Sequence, residues 1–508
     1  MKLDWGSYKH FPYERELALR EIAALMGTDA RLTSTGEIQS EGASLSAAKM
    51  LTYFASVQVD GCQAATIQRQ LEQSASATQR RQSTRYSVHG LHEYRGKFNP
   101  QVCRALINIL GVPENGVLLD PFCGSGTTLV EAAHRGARGV GTDLNPLAVF
   151  IANTKLQALV TPADELDAAL QRVVDRESGI GLGENLTARG AYLEAWFEPE
   201  ILPQIEKLRI AIEQESEHLA KFFLVVASDL LREFSLQDPA DLRIRRRPTA
   251  NVTKSFVEVF SASAREAIRK LASAQAVVGT ALRPGRAYLQ DNRALTDVEM
   301  PEKADAAITS PPYATALPYI DTQRLSLVWL SLIEPDEIAK VEANLTGSRE
   351  MGTKAKRAGV EAICSNLARL PEAEANFCAE LQAALTEKDG FRRQAVPVLL
   401  YRYFDQMAQT FRAVSRQLKP GAPFALIVGH NHTVLGGQRF DIDTPKHLAS
   451  LAESEGWAVS EVTALQAYQR YGIHASNAVK AETLLVVRAP HHAGETPTGN
   501  QHAPRLAS

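Results

Sequence analysis

The chain has 508 residues, 45% of them hydrophobic and 22% charged, and a net charge of −3. That length allows a large core and roughly two to four domain-sized units, and the balance excludes a globally basic nucleic-acid binder, so any such contact must come from local basic patches. The five cysteines (Cys62, Cys103, Cys123, Cys364, Cys378) are scattered, with no CxxC pair and no neighbouring histidine cluster, which argues against a zinc site and a disulfide framework. No metal is expected. The first residues carry no apolar signal core and no run of 18 apolar residues occurs, so a cytoplasmic chain without a membrane partner is expected.

In chain order, residues 1–85 read as a helical N-terminal region and a linker. Leu17, Ile22, Leu25 and Met26 recur near one helical face, and the stretch from Gln68 to Ser87 is polar, with Arg80, Arg81 and Arg85. Residues 86–154 change character. Val117-Leu-Leu-Asp120 is a short buried strand, Thr127–His134 a helix, and Gly139-Val-Gly-Thr-Asp143 a second strand ending in an acid. Strand, helix and strand at this spacing make a βαβ unit of a parallel sheet. Residues 155–280 are a helical insertion containing Arg243, Arg245, Arg246 and Arg247. In 281–333 the strands resume at Ala287–Asp291 and Ala304–Thr309, and 334–392 is a second, polar-helical insertion. Residues 393–489 close the sheet with helix Tyr403–Leu418, strand Phe424–Val428, helix Pro445–Glu455 and strand Glu482–Arg488. The stretch 490–508 has too little apolar content to fold and reads as a disordered tail.

Two short strings carry chemistry. In Asp120-Pro-Phe-Cys-Gly-Ser-Gly-Thr-Thr128 a strand runs into a glycine turn. A parallel sheet binds ligands at the carboxyl ends of its strands, and Gly124 and Gly126 there permit close approach of backbone to ligand. Asp143 follows Asp120 by 23 residues, at the end of the next strand, where an acid accepts the hydroxyls of a ribose. No GxxxxGK[ST] is present, so this is not an NTPase phosphate cradle. The second string is Thr309-Ser-Pro-Pro-Tyr313. Its prolines lock φ twice and so hold the Pro311 carbonyl in place; Ser310 Oγ is a second acceptor, and Tyr313 offers a flat face to a base rotated out of a duplex.

Together the strings resemble motifs I and IV of the S-adenosylmethionine-dependent DNA amino-methyltransferases, and the Ser-Pro-Pro-Tyr spelling resembles the cytosine-N4 branch. Leu91-His-Glu-Tyr-Arg-Gly-Lys-Phe-Asn-Pro100 is similar to motif X of that family. The resemblance covers roughly residues 89–155 and 285–490. It implies a doubly wound, Rossmann-like class I methyltransferase sheet, S-adenosyl-L-methionine as cofactor, and double-stranded DNA as partner, with a cognate restriction endonuclease as a further one. It implies that Phe98, Asp120, Phe122, Gly124, Gly126, Thr127, Asp143 and Asp291 surround the cofactor. Ser310, Pro311, Pro312 and Tyr313 would then frame the exocyclic amino group, whose delocalised lone pair needs hydrogen-bond acceptors to become nucleophilic. For Asp291 a plain surface acid at a strand end is an equal reading. For the arginine run, a DNA contact and a solvated helix end stand side by side. An adenine-N6 enzyme, an RNA guanine-N2 enzyme and a non-catalytic DNA-binding module are the alternatives.

Overall fold

The apolar strings around the two motifs become neighbouring strands because their alternate side chains feed two separate cores. Leu118, Ala306, Ile308, Ala425, Ile427, Leu484 and Val486 pack into one layer. Val117, Leu119, Ala307, Phe424, Leu426, Val428, Leu485 and Val487 pack into the other. A strand covered on both faces reads as a continuous apolar run rather than an alternation. The structure is a computed structural model that describes residues 1–27, 31–32, 38–39, 44–73, 82–183, 187–241, 243–279, 282–295, 298–313, 320–349, 351–466 and 481–491.

Its strands are β1 (Lys2–Trp5), β2 (Arg31–Leu32), β3 (Ile38–Gln39), β4 (Phe54–Val59), β5 (Cys62–Ala65), β6 (Val117–Asp120), β7 (Arg138–Asp143), β8 (Arg286–Leu289), β9 (Ala306–Thr309), β10 (Pro423–Gly429), β11 (Asn431–Leu435), β12 (Gln438–Ile442), β13 (Ala458–Gln466) and β14 (Ala481–Arg488). The central sheet has the order β13-β14-β10-β9-β6-β7-β8. Strands β6 to β10 pair in parallel, and β14 runs antiparallel to both β10 and β13. This is a Rossmann-like class I methyltransferase fold. The order reverses between β6 and β9, the switch point above which open α/β sheets bind their ligands.

The N-terminal segment holds the helix expected of it, Pro12–Met26, together with a three-stranded antiparallel sheet β1-β4-β5 that helical periodicity does not reveal. Those strands are four to six residues long, too short for their alternation to stand out. Leu17, Ile22, Leu51, Tyr53 and Val57 share a core with helix Pro100–Ile109 and the central sheet. Both guanidinium ends of Arg20 reach Glu461 on β13 at 2.6 Å. In the polar stretch after it, Gln68 and Leu71 belong to helix Ile67–Gln73 and are buried; Arg80 and Arg81 lie outside the described residues.

The first insertion contains helices Ala163–Glu177, Ala188–Glu194, Leu202–Glu213, Glu217–Phe234 and Phe256–Val278. Their apolar faces join Ile151, Leu156 and Leu159 of helix Pro146–Val160 in one cluster, so the insertion is built onto the sheet layer. The second contains helix Ile338–Asn344, whose Ile338 and Val341 join the first insertion's cluster, and helices Thr353–Ser365 and Glu372–Ala383, packed on the long helix Val396–Gln417. Hairpin β11–β12 and strand β13 add to the elements expected from the sequence. On β13, Val462 is half exposed at the sheet's edge, which weakens the apolar signal of that strand. Of the tail, residues 492–508 lie outside the described residues.

Candidate active site

The carboxyl ends of β6, β7, β8, β9 and β10 surround a cavity of about 360 Å³. Phe98, Phe122, Gly124 and Asp143 line it together with Ser310, Pro311, Pro312 and Tyr313. Motifs whose Asp120 and Thr309 stand 189 residues apart in the chain thus share one space because parallel strands deliver all their carboxyl ends to the same edge.

The glycine turn is shaped by contacts on both sides. Gly126 has φ +81°, and a Cβ there would lie 2.8 Å from that of Ala152, so the residue is confined to glycine by conformation and by packing. Gly126 N donates to the Cys123 carbonyl at 2.8 Å, and Cys123 N donates to the Thr142 carbonyl at 3.0 Å. Gly124 N donates to Asp143 Oδ2 at 3.0 Å, and Asn145 N to Asp143 Oδ1 at 2.8 Å. Both carboxylate oxygens therefore hold backbone N–H groups, with further lone pairs left to accept hydroxyls. Burial raises Asp143 to about 6. Asp120 lies beneath the turn, buried, where its Oδ1 accepts from Phe122 N at 3.0 Å and from Thr309 Oγ1 at 2.6 Å. It too is raised by burial to about 6. The Thr309 contact joins the two motifs directly. Cys123 is buried and its thiol is pushed up by burial, in keeping with a packing residue that forms no nucleophile.

Gly126 and Thr127 lie behind the cavity wall, at the start of helix Thr127–His134. Asp291 does not line the cavity. Its carboxylate pairs with the Arg293 guanidinium, which with the Arg293 backbone N–H holds it below the usual range although burial opposes this. The neighbouring Asn292 lines the cavity instead; β8 ends at Leu289, two residues earlier than the sequence suggests.

Ser310 Oγ donates to the Ile427 carbonyl at 3.3 Å, which leaves its lone pairs as acceptors. Tyr313 donates its hydroxyl to Glu482 Oε1 at 2.7 Å. Its ring lies against the end of β10, where a Cβ on Gly429 would come within 2.9 Å of Cε2. The rest of the motif IV segment, residues 314–319, lies outside the described residues.

Several cavity residues carry little or no sequence signal. Tyr94 packs on Gly124 and lies within the motif X segment, and Asn145 caps helix Pro146–Val160 through Leu147 N at 3.1 Å; both adjoin named motifs and could have been proposed from that. Tyr13 from the N-terminal helix, Thr346 from the second insertion, and Leu465 and Glu482 from β13 and β14 also line the wall. These arrive from remote chain, and no local pattern marks them. Behind the wall, Tyr86, His89, Arg104 and His134 converge on the buried Glu131. Burial alone would raise Glu131, but His134, His89 and Arg104 hold its carboxyl well below the usual range. The cluster fastens the segment before motif X to the motif I helix.

Among the arginines, Arg247 Nε donates to the Ser235 carbonyl at 2.9 Å and Nη2 to the Ser235 and Glu233 carbonyls. Arg246 lies 5.7 Å from the Trp196 ring centroid, and Arg243 and Arg245 are exposed. Gln237 Nε2 donates to the Asp321 carbonyl at 2.9 Å, which ties this loop to the chain just beyond motif IV.

Residues 91–177 match the UPF0020 family profile, described as an RMKL-like methyltransferase domain. The chain is 28% identical over 282 residues to the Type II methyltransferase M.MvaI of Kocuria varians, covering 50% of this chain and 60% of that one. It is 42% identical over 52 residues to a tRNA (guanine(10)-N2)-dimethyltransferase of Methanothermobacter thermautotrophicus, covering 10% of this chain and 16% of that one. Among solved structures it is similar to the rRNA methyltransferase aviRa of Streptomyces viridochromogenes, at a TM-score of 0.29 and 13% identity, covering 82% of this chain and 92% of that one. The chain thus spans less than two thirds of the curated relatives' length. The methyltransferase-domain match, which spans the glycine turn and Asp143, supports S-adenosyl-L-methionine as the cofactor. No described helix is long and apolar enough to cross a membrane.

Proposed function

We propose that the protein is a site-specific DNA methyltransferase that methylates the exocyclic N4 of a cytosine rotated out of the duplex, in a restriction-modification system or as a solitary modification enzyme. The observation that carries this reading is the single cavity lined by both Asp143 and Ser310-Pro311-Pro312-Tyr313. The cofactor supplies the sulfonium methyl. Asp143 would accept the ribose hydroxyls, and Gly124 lets the backbone close on the ligand without a side chain in between. On the target side, Ser310 Oγ has its proton committed to Ile427, so it faces an amino N–H as an acceptor. The Pro311 carbonyl is the second acceptor. Two bonds accepted from one amino group favour a pyramidal nitrogen with its lone pair directed at the methyl. Tyr313 would stack on the base, and its tether to Glu482 fixes the plane of that stack. Asp120, joined to Thr309, holds the two half-sites in register. The likeness to M.MvaI supports DNA as the substrate, and exposed Arg243, Arg245 and Arg246 are proposed to meet its phosphates.

A second reading, guanine-N2 methylation of RNA, draws on the likeness to the tRNA dimethyltransferase, which covers 10% of the chain. Adenine-N6 remains a variant of the first. Nucleoside mass spectrometry on DNA and RNA from a methylation-free host expressing the protein decides among them. N4-methylcytosine in DNA is the expected product. N6-methyladenine, or methylated guanine in RNA alone, would replace the assignment.

A further inference from the structure

The second insertion carries an exposed cluster that the active site does not use. Thr353–Arg357 contributes Lys354, Lys356 and Arg357, and Phe391–Gln394 contributes Arg392 and Arg393; beside these five cations stand Glu361, 3.7 Å from Arg357, and Asp389, which interacts with Arg393. Between the two segments Phe391 is 74% exposed, with Lys356 Nζ 5.9 Å from its ring centroid. The ring thus stands in solvent among cations, and a flat base or sugar can pack on it. Lys356 also donates to Gln394 Oε1 at 3.1 Å, which fixes one segment against the other.

The location follows from topology. Helix Val396–Gln417 connects parallel strands β9 and β10, and its end lies at the start of β9, where Ala304 N donates to the Gln417 carbonyl at 2.8 Å. Its 22 residues span about 33 Å, so its first turn, directly after Phe391–Gln394, lies at the carboxyl edge of the sheet with the cavity. Helix Thr353–Ser365 crosses that first turn so closely that a Cβ on Gly359 would lie 2.1 Å from Val398 Cγ1. The linking chain passes the site: Thr346 lines the cavity, and a Cβ on Gly347 would lie 3.1 Å from the Tyr313 carbonyl oxygen. Hairpin β11–β12 closes the far side, with Gly436 N donating to Asp389 Oδ2 at 2.9 Å.

We propose that this shelf binds duplex DNA flanking the target base, its five cations neutralising phosphates and Phe391 packing on an exposed base or sugar. The proposal rests on the DNA-methyltransferase reading. Cations surrounding an exposed aromatic ring suit a polyanion with flat bases better than a protein or a lipid surface. The shelf lies on a different insertion from the Arg243–Arg247 loop and serves the same cavity.

The test uses the full chain and a duplex of about 30 base pairs. Duplex affinity is measured across a salt series for wild type, for Lys354→Gln/Lys356→Gln/Arg357→Gln, for Arg392→Gln/Arg393→Gln, and for Phe391→Ala, with S-adenosylmethionine affinity as a check on folding. Each lost phosphate contact should flatten the logarithmic salt slope by about 0.9. The triple variant should therefore lose two to three such steps and bind duplex about 10- to 100-fold more weakly at moderate salt, with cofactor affinity unchanged. Wild-type slopes and affinities in both charge variants would overturn the proposal, as would a loss seen only with single-stranded RNA of the same length. Failure of the methyltransferase reading looks different: wild type would transfer no labelled methyl to DNA, whatever the shelf variants do to binding.

Discussion

The Tyr313 hydroxyl donates to Glu482 Oε1 at 2.7 Å, joining the end of motif IV to the start of β14 across 169 residues. With Gly429 leaving room for the ring's edge, the bond fixes the ring's angle in the cavity, where the proposed reading has it meet a base. Glu482→Ala should raise KM for DNA and lower kcat/KM about 3- to 10-fold, the net worth of one hydrogen bond. Glu482→Gln retains an acceptor and should stay near wild type. Steady-state kinetics on a single-site duplex checks this, and equal losses in both variants would point to charge instead.

On the proposed reading, Ser310→Ala removes one of the two acceptors that face the target amino group. Cofactor and DNA affinities should persist while the single-turnover rate falls by roughly 10²–10³, the usual cost of deleting one preorganised polar partner. A rapid-quench experiment separates the chemical step from binding. A change confined to KM would remove Ser310 from the chemistry.

Asp143 has both oxygens on backbone N–H groups and is raised by burial to about 6. Only the carboxylate accepts two ribose hydroxyls, so cofactor affinity should fall as pH drops through about 6. Asp143→Ala should weaken binding by about 2–3 kcal/mol at neutral pH and abolish that inflection. Calorimetric titration from pH 5 to 8 measures both, and a pH-independent wild type would sink the assignment.

Asp120 is buried and likewise raised to about 6. An acid whose folded value exceeds its unfolded one, near 3.8, is more readily protonated in the folded state. Its effect on stability is therefore absent below about pH 4 and grows unfavourable as pH rises to about 6, then stays level. Asp120→Asn keeps an oxygen for Phe122 N and Thr309 Oγ1 without the charge. It should raise the ligand-free protein's stability by about 1–3 kcal/mol above pH 6 and leave it nearly unchanged near pH 4. Thermal unfolding across pH reads the difference directly; a constant offset at every pH would mean that the carboxylate charge is not its source.

The two motifs, the βαβ unit around the first, and most strands of the central sheet were legible in the sequence because their causes are local. Buried parallel strands need unbroken apolar runs, and Gly126 and the prolines of motif IV are dictated by backbone geometry within a few residues. Helix Thr127–His134 starts and stops where its glycine turn and composition say it should. What required the tertiary structure is every relationship made at a distance. Asp291 and Asn292 are adjacent in sequence, and only the end of β8 and the pull of Arg293 decide which one meets the cavity. Arg247 looks like its neighbours in a basic run, yet it is tied to the carbonyls at the end of a helix. Tyr13, Thr346 and Glu482 join one wall from three remote segments. Periodicity and turn chemistry report what a residue's neighbours in sequence require, whereas a cavity at a strand-order switch is assembled from chain ends that only the completed sheet brings together.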